Sequence, residues 1–267
     1  MLCYNLPVKK YFFFDIDGTL VYGEGKGLVF PESSKYAIKA LQEKGHFVAI
    51  ATGRSYAKAI DTMKELGIHN MVHDGGNGYT IDDKIIEIRP LDKGLVLDLI
   101  AECEAKGFPW GISPENAAYR LCKDDAFMDF THDVYLETVV KKDLDPSSYM
   151  QIYKAYVACK AHEEERLETL KKLPWCRFHE TYLFVEPTDK GQGIYKVMEH
   201  FDAPLEDVVV FGDDLNDLGM FDKRWFCIAM GNAKEALKEK ADYVTDAVWN
   251  DGVYKACVKF GWIDENK

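Results

Sequence analysis

Two carboxylates, Asp15 and Asp17, close the aromatic run of "YFFFDIDGTL" (residues 11–20) just ahead of a glycine and a threonine. At the end of a buried strand both acids can turn into one cleft, but like charges held there repel unless a cation or two separate chemical tasks justify them. Three readings follow. The pair can be a turn and helix-cap motif, which Asp, Gly and Thr all favour. It can be a bare metal-binding loop. In the third reading Asp15 is a nucleophile that attacks phosphorus to form an aspartyl-phosphate, and Asp17 is the acid that protonates the departing oxygen. That chemistry demands a hard cation and positive charge from elsewhere in the chain.

The chain offers both. "VFGDDLNDLGM" (210–220) sets Asp213, Asp214, Asn216 and Asp217 directly after a glycine turn, and their oxygens are the donors that magnesium prefers. Asp213 is expected as a direct ligand, Asp217 as a ligand directly or through water, Asn216 as an orienting group, and Asp214 as a solvent-facing residue. An acidic turn by itself also suits a helix N-terminus. In "ATGRS" (51–55) the Thr52 hydroxyl and the Gly53 N–H can donate to a phosphoryl group, and a plain turn explains the same residues. Arg54 can meet the phosphate or brace the helix that follows. "TDKGQG" (188–193) puts Lys190 before a helix, where its ammonium can neutralise an attacked phosphoryl group. Four chain turns supplying complementary charges argue together for what none argues alone.

Such turns need a scaffold that gathers them. Residues 11–16 have strand composition, "ESSKYAIKALQEKG" has a helical period, "HFVAIATGRS" is an apolar run closing on small polar residues, and "SYAKAIDTMKELG" is a further helix. The alternation predicts an α/β fold, a parallel sheet flanked by helices. It resumes near the end with "GIYKVMEHF", "DVVVFGDD", "FCIAMGNA", "EALKEKA", "DYVTD" and "DGVYKACVKFG". One domain is therefore expected from residues 1–82 and 188–267 together. The middle, 83–187, reads as an inserted α+β domain, with "KIIEI", "YMQIYKAYVAC" and "CRFHETYLFVEP" as strands and "DKGLVLDLIAECEAKG" and "EEERLETLKKL" as helices.

Composition narrows the partners. A formal charge of -12, with no offsetting basic tract, opposes binding to a nucleic-acid polymer or an anionic membrane. An anionic small molecule would need a local positive site. No stretch approaches the roughly 18 consecutive apolar residues of a membrane span, and the first residues do not read as an export signal, so the cytoplasm is the expected address. Cysteines at 3, 103, 122, 159, 176, 227 and 257 form no CxxC pair and suit reduced, buried thiols. His73, His132, His162 and His179 lack a mutual ligand spacing and are expected to be structural or at the surface.

Taken together, "DIDGTL", "ATGRS", "DKGQG" and "GDDLND" resemble the signature set of the haloacid dehalogenase superfamily, and "AMGNAKEALKEKADYVTDAVWNDGV" resembles the C-terminal segment of its Cof-type sugar-phosphatase branch. The resemblance implies a Rossmann-like core with a large α/β cap inserted in the middle. It implies Asp15 as nucleophile, Asp17 as general acid and then base, with its carbonyl also on magnesium, and Thr52, Gly53, Lys190 and Asn216 around the phosphate. Asp213 and Asp217 would hold Mg2+. Asn77 and Gly78 of "HDGGNGY" match the family's turn before the cap. The implied activity is hydrolysis of small phosphate monoesters, sugar phosphates first, with pyridoxal phosphate or nucleotide-type monophosphates as alternatives. A phosphomutase and a noncatalytic binding module on the same fold are the rival functions.

Overall fold

A computed structural model describes residues 9–23, 27–177 and 179–265. The chain divides into two compact units: Met1–Gly53, Ile60–Ile86 and Asp189–Lys267 form one, and Arg54–Ala59 with Glu87–Thr188 the other. In chain order the elements are β1 (Tyr11–Phe14), α1 (Glu32–Glu43), β2 (Phe47–Ala51), α2 (Tyr56–Glu65), β3 (Met71–His73), β4 (Gly78–Ile81) and β5 (Lys84–Ile88). Next come α3 (Lys93–Lys106), β6 (Trp110–Ser113), β7 (Tyr119–Cys122), α4 (Ala126–Thr131), β8 (Glu137–Val140), β9 (Lys154–Ala158) and β10 (Tyr182–Val185). The chain ends with α5 (Lys190–His200), β11 (Val208–Gly212), β12 (Phe226–Ala229), α6 (Glu235–Lys238), β13 (Tyr243–Val244) and α7 (Gly252–Lys259). Among the described residues, no helix is long and apolar enough to cross a membrane.

In the first unit the strands run β13-β12-β11-β1-β2-β3-β4-β5. β1 sits near the middle because every one of its side chains is buried, and the period of two sends them to opposite faces. Tyr11 and Phe13 join Phe47, Ile194, Val197 and Met198 on the α5 side. Phe12 meets His46 and Trp262 edge-on, with ring centroids 5.4 and 5.0 Å away. Each fully buried phenylalanine stabilises the core by on the order of 2 kcal/mol. Helix α1 buries Ser34, Ala37, Ile38 and Leu41, the i, i+3, i+4, i+7 stripe of an amphipathic helix.

Register positions the chemistry. Phe14 lies opposite both Ile50 and Phe211 in parallel ladders, so β1, β2 and β11 end level. The Asp15 N–H still donates to the Phe211 carbonyl at 3.0 Å and the Thr52 N–H to the Val72 carbonyl at 2.9 Å. Asp15, Thr52 and Asp213 therefore leave the sheet along one rim, its C-terminal edge, where ligands of open α/β sheets bind.

The second unit holds a five-stranded sheet, β10-β9-β6-β7-β8. One face packs on α3, whose Val96, Leu99, Ile100 and Cys103 are buried with Ile112, Val157, Leu183 and Val185. On the other face Tyr156, Tyr182 and Phe184 surround Phe127 of α4. The thiols of Cys103, Cys122, Cys159, Cys176, Cys227 and Cys257 are free; Cys3 lies outside the described residues.

Three sequence expectations need correction. "KIIEI", expected in the inserted segment, pairs as β5 at the edge of the large sheet. Asp82 and Asp83 adopt positive φ of 47° and 62°, which makes the two-residue turn that folds β5 back on β4. The helix expected over "EEERLETLKKL" is instead two 3-10 turns, Glu163–Arg166 and Thr169–Lys172. Its buried leucines, Leu167, Leu170 and Leu173, recur every third residue, the period of a 3-10 helix rather than an α-helix. The large sheet is also not wholly parallel, since β4 runs antiparallel to β3.

Candidate active site

Asp15, Asp213 and Asp217 each offer a carboxylate oxygen, and these atoms lie within 4.8 Å of one another. Into the cluster comes Lys190, whose Nζ donates to Asp15 Oδ1 and Asp217 Oδ1, both at 2.5 Å. Lys190 is 1% exposed, a depth that a long polar side chain accepts only when its charge is paired. The sequence explains the depth. Asp189 caps α5, its Oδ1 accepting the Gln192 N–H at 3.3 Å. Gly191 lies so close to the turn after β11 that a Cβ there would stand 2.2 Å from the Gly219 carbonyl oxygen. Only glycine lets the helix start this near the acidic turn.

Asp217 is fixed from the other side. Its Oδ2 accepts the N–H groups of Asp213 and Asp214 at 2.8 and 3.1 Å, and it has no exposed surface. Asp214, expected at the surface, is exposed and caps the turn Leu215–Met220, its Oδ1 accepting the Leu215 N–H at 2.7 Å. Asp213 is held on both oxygens: Oδ1 accepts from the Thr19 hydroxyl at 3.1 Å and Oδ2 from Asn232 Nδ2 at 3.3 Å. The turn after Asp15 can reach this carboxylate because Gly18 takes φ +87°, and a Cβ at that position would lie 2.1 Å from Asp213 Oδ2.

Three carboxylates against one ammonium leave negative charge in excess. Burial pushes Asp15 well above the usual carboxylate range, and the charge of Asp217 pushes it further; Lys190 pulls it back, while Asp213 and Asp17 add to the rise. Asp213 is pushed up to about 7 by burial first and by Asp217 second, against the hydrogen bond from Thr19. For Lys190 burial acts downward, but Asp15 and Asp217 outweigh it and hold the side chain as an ammonium. All three acidic groups are hard oxygen donors, with no thiol or imidazole among them. A hard divalent cation fits both that donor set and the uncompensated charge.

The other expected residues stand on the same rim. Asp17 is exposed, one residue before Gly18. Thr52 is buried at the end of β2 and its carbonyl accepts the Gly75 N–H at 3.3 Å. Gly53 follows half-buried, and Asn216 is half-buried within the turn Leu215–Met220. Arg54 groups with the second unit. His73 is a satisfied structural histidine, its Nδ1 2.7 Å from Asp74 Oδ2 and its Nε2 3.2 Å from Thr80 Oγ1. Sequence reasoning overlooked Thr19 and Asn232. Their signal was position: Thr19 closes the DxDGT run, and Asn232 follows β12 through a glycine just as Asp213 follows β11.

Residues 12–257 match the haloacid dehalogenase-like hydrolase family. The Bacillus subtilis (strain 168) protein YkrA, which bears a provisional phosphatase name, is 31% identical over 262 residues, covering 95% of this chain and 98% of its own. The 5-amino-6-(5-phospho-D-ribitylamino)uracil phosphatase YcsE of the same organism is 28% identical over 91% of this chain and 92% of its own. Among solved structures, a hypothetical protein from Geobacillus kaustophilus HTA426 superposes with a TM-score of 0.82 at 29% identity, over 96% of this chain and 100% of that one. The subclass IIB sugar phosphatase BT4131 does so with a TM-score of 0.75 at 29% identity, over the same shares.

Proposed function

The chain belongs to the haloacid dehalogenase-like hydrolases, and from that premise we propose that it is a magnesium-dependent phosphatase of small phosphate monoesters, sugar phosphates foremost. The observation that carries this reading is the buried contact of Lys190 with Asp15 inside a cluster of excess carboxylates. In the proposed reaction an Asp15 oxygen attacks phosphorus, the bond from phosphorus to the alcohol oxygen breaks, and Asp17 gives that oxygen its proton. Asp17, now a carboxylate, takes a proton from water, which attacks the aspartyl-phosphate and frees Asp15 and inorganic phosphate. Lys190 offsets charge on Asp15 and on the phosphoryl oxygens, while the Thr52 hydroxyl, the Gly53 N–H and Asn216 orient the phosphoryl group. Asp213 and Asp217, with Asp15 and the Asp17 carbonyl, would hold Mg2+, Asp213 most directly. When bound, the cation supplies charge neutralisation between the Asp15 carboxylate and the phosphate dianion.

These groups read phosphate and not what it is attached to, so the choice of alcohol is assigned to the inserted segment. A screen of purified protein with and without Mg2+ across sugar phosphates, nucleotides, pyridoxal phosphate and an aryl phosphate tests the reading. Metal-dependent phosphate release, without a bisphosphate activator, is the expected result. Release that needs such an activator would mean a phosphomutase, and none from any ester would sink the reading.

A further inference from the structure

The turn after β12 enters the site although nothing in the proposed reaction uses it. Its residue Asn232 spends its whole side-chain amide on three separate segments. Nδ2 donates to the Gly18 carbonyl at 2.9 Å and to Asp213 Oδ2 at 3.3 Å, and Oδ1 accepts the Val248 N–H at 2.9 Å. Two residues on, the Lys234 N–H donates to the Asp213 carbonyl at 2.8 Å. Asp213 is thus gripped at both its main chain and its side chain by one turn. The opposite carboxylate oxygen is taken by Thr19, so the two contacts fix the plane of the carboxylate while leaving each oxygen a lone pair.

We propose that Asn232 is a positioning residue for the cation site: it sets the rotamer of Asp213 and its separation from the Asp15–Gly18 turn, and so raises affinity for a divalent cation without touching substrate. The proposal rests on the reading of Asp213 as a cation ligand. Outer partners of metal-ligating carboxylates typically contribute 10–100-fold in affinity, by sparing the ligand the cost of ordering itself when the ion arrives. A serine at 232 is too short to span to Asp213 yet keeps a hydroxyl in the turn. Thr245, whose hydroxyl donates to the Gly252 carbonyl at 2.7 Å, braces the same C-terminal segment with no contact to Asp213.

The test is calorimetric titration of MgCl2 alone, without substrate, into the wild type, Asn232→Ser, Asn232→Ala, Thr245→Val and Asp213→Asn. The expected result is wild-type binding, about 10–100-fold weaker binding in both Asn232 variants, wild-type affinity in Thr245→Val despite a lower melting temperature, and no binding in Asp213→Asn. In turnover assays the Asn232 variants should need more Mg2+ for half-saturation and return to within about threefold of wild-type kcat when saturated. If Asn232→Ser binds Mg2+ like the wild type, Asn232 is only a tie between loops and the proposal falls, whereas the cation site stands. If the wild type itself binds no Mg2+, both fall. Asn232→Ala can lose its fold through the freed Val248 N–H; Asn232→Ser alone then decides.

Discussion

The two units each bury a cation among carboxylates, and they balance it differently. In the second unit Arg120 is fully buried against Asp133, donates to Thr138 Oγ1 at 2.9 Å, and lies 4.3 Å from the Phe127 ring centre. Asp133 also accepts from the Tyr182 hydroxyl at 3.0 Å and the Tyr135 N–H at 3.1 Å. Burial alone would raise the Asp133 carboxyl, yet Arg120 and these donors hold it below its ordinary value. One anion faces one cation and every partner favours the charged form. At Lys190 the same ingredients are out of balance, and Asp15 and Asp213 are pushed upward instead. A buried pair matched in charge fixes a loop; an unmatched one stores unfavourable charge that an incoming cation relieves.

Equivalent substitutions should separate the two. Asp15→Asn is expected to cost about four orders of magnitude or more in turnover, as removal of a nucleophile does, while leaving the fold intact and raising the melting temperature measured without metal. Steady-state kinetics and thermal melts report both. Asp133→Asn strands the buried Arg120 charge and should cost about 3–5 kcal/mol of stability in denaturant unfolding; a change near zero would undo the contrast. Gly18→Ala forces a Cβ to 2.1 Å from Asp213 Oδ2 and onto a φ of +87°. It should abolish Mg2+ binding by calorimetry while far-ultraviolet circular dichroism stays native.

The smallest expected effect concerns pH. Asp213 has a folded-state value raised to about 7, so the folded protein holds its proton more tightly than the unfolded chain. Its contribution to stability is therefore complete below the ordinary carboxylate range and is lost as pH rises through about 7. Mg2+ competes for the same oxygens and needs them ionised. The rise in melting temperature on adding Mg2+ should be slight at pH 5 and grow toward pH 8. A Mg2+ effect that is constant across that range would remove Asp213 from the cation site.

Part of the site could be read from the chain because three of its members stand where an apolar run breaks into small polar residues: Asp15 after "YFFF", Thr52 after "FVAIA", Asp213 after "VVVFG". Burial patterning and charge type name such positions without coordinates. Thr19 and Asn232 were harder to assign, since a neutral side chain in a turn looks the same whether it satisfies its own loop or a carboxylate elsewhere, 194 residues away for Thr19 and 19 for Asn232. The second unit hid more. β7, "YRLC", carries the fully buried Arg120 at its centre, which breaks the apolar pattern of a core strand until Asp133 is seen beside it. The leucines at 167, 170 and 173 satisfied a helical template only because a period of three is close to one of 3.6.

The most direct test of the site is to find where the phosphoryl group goes. Wild-type protein mixed with Mg2+ and an aryl phosphate, quenched in acid during turnover and mapped by peptide mass spectrometry, should carry one labile phosphoryl group on the peptide containing Asp15, and Asp15→Asn should carry none. A phosphoryl group on another residue, or full turnover by the variant, would contradict the assignment of Lys190 and its carboxylates to covalent phosphoryl transfer.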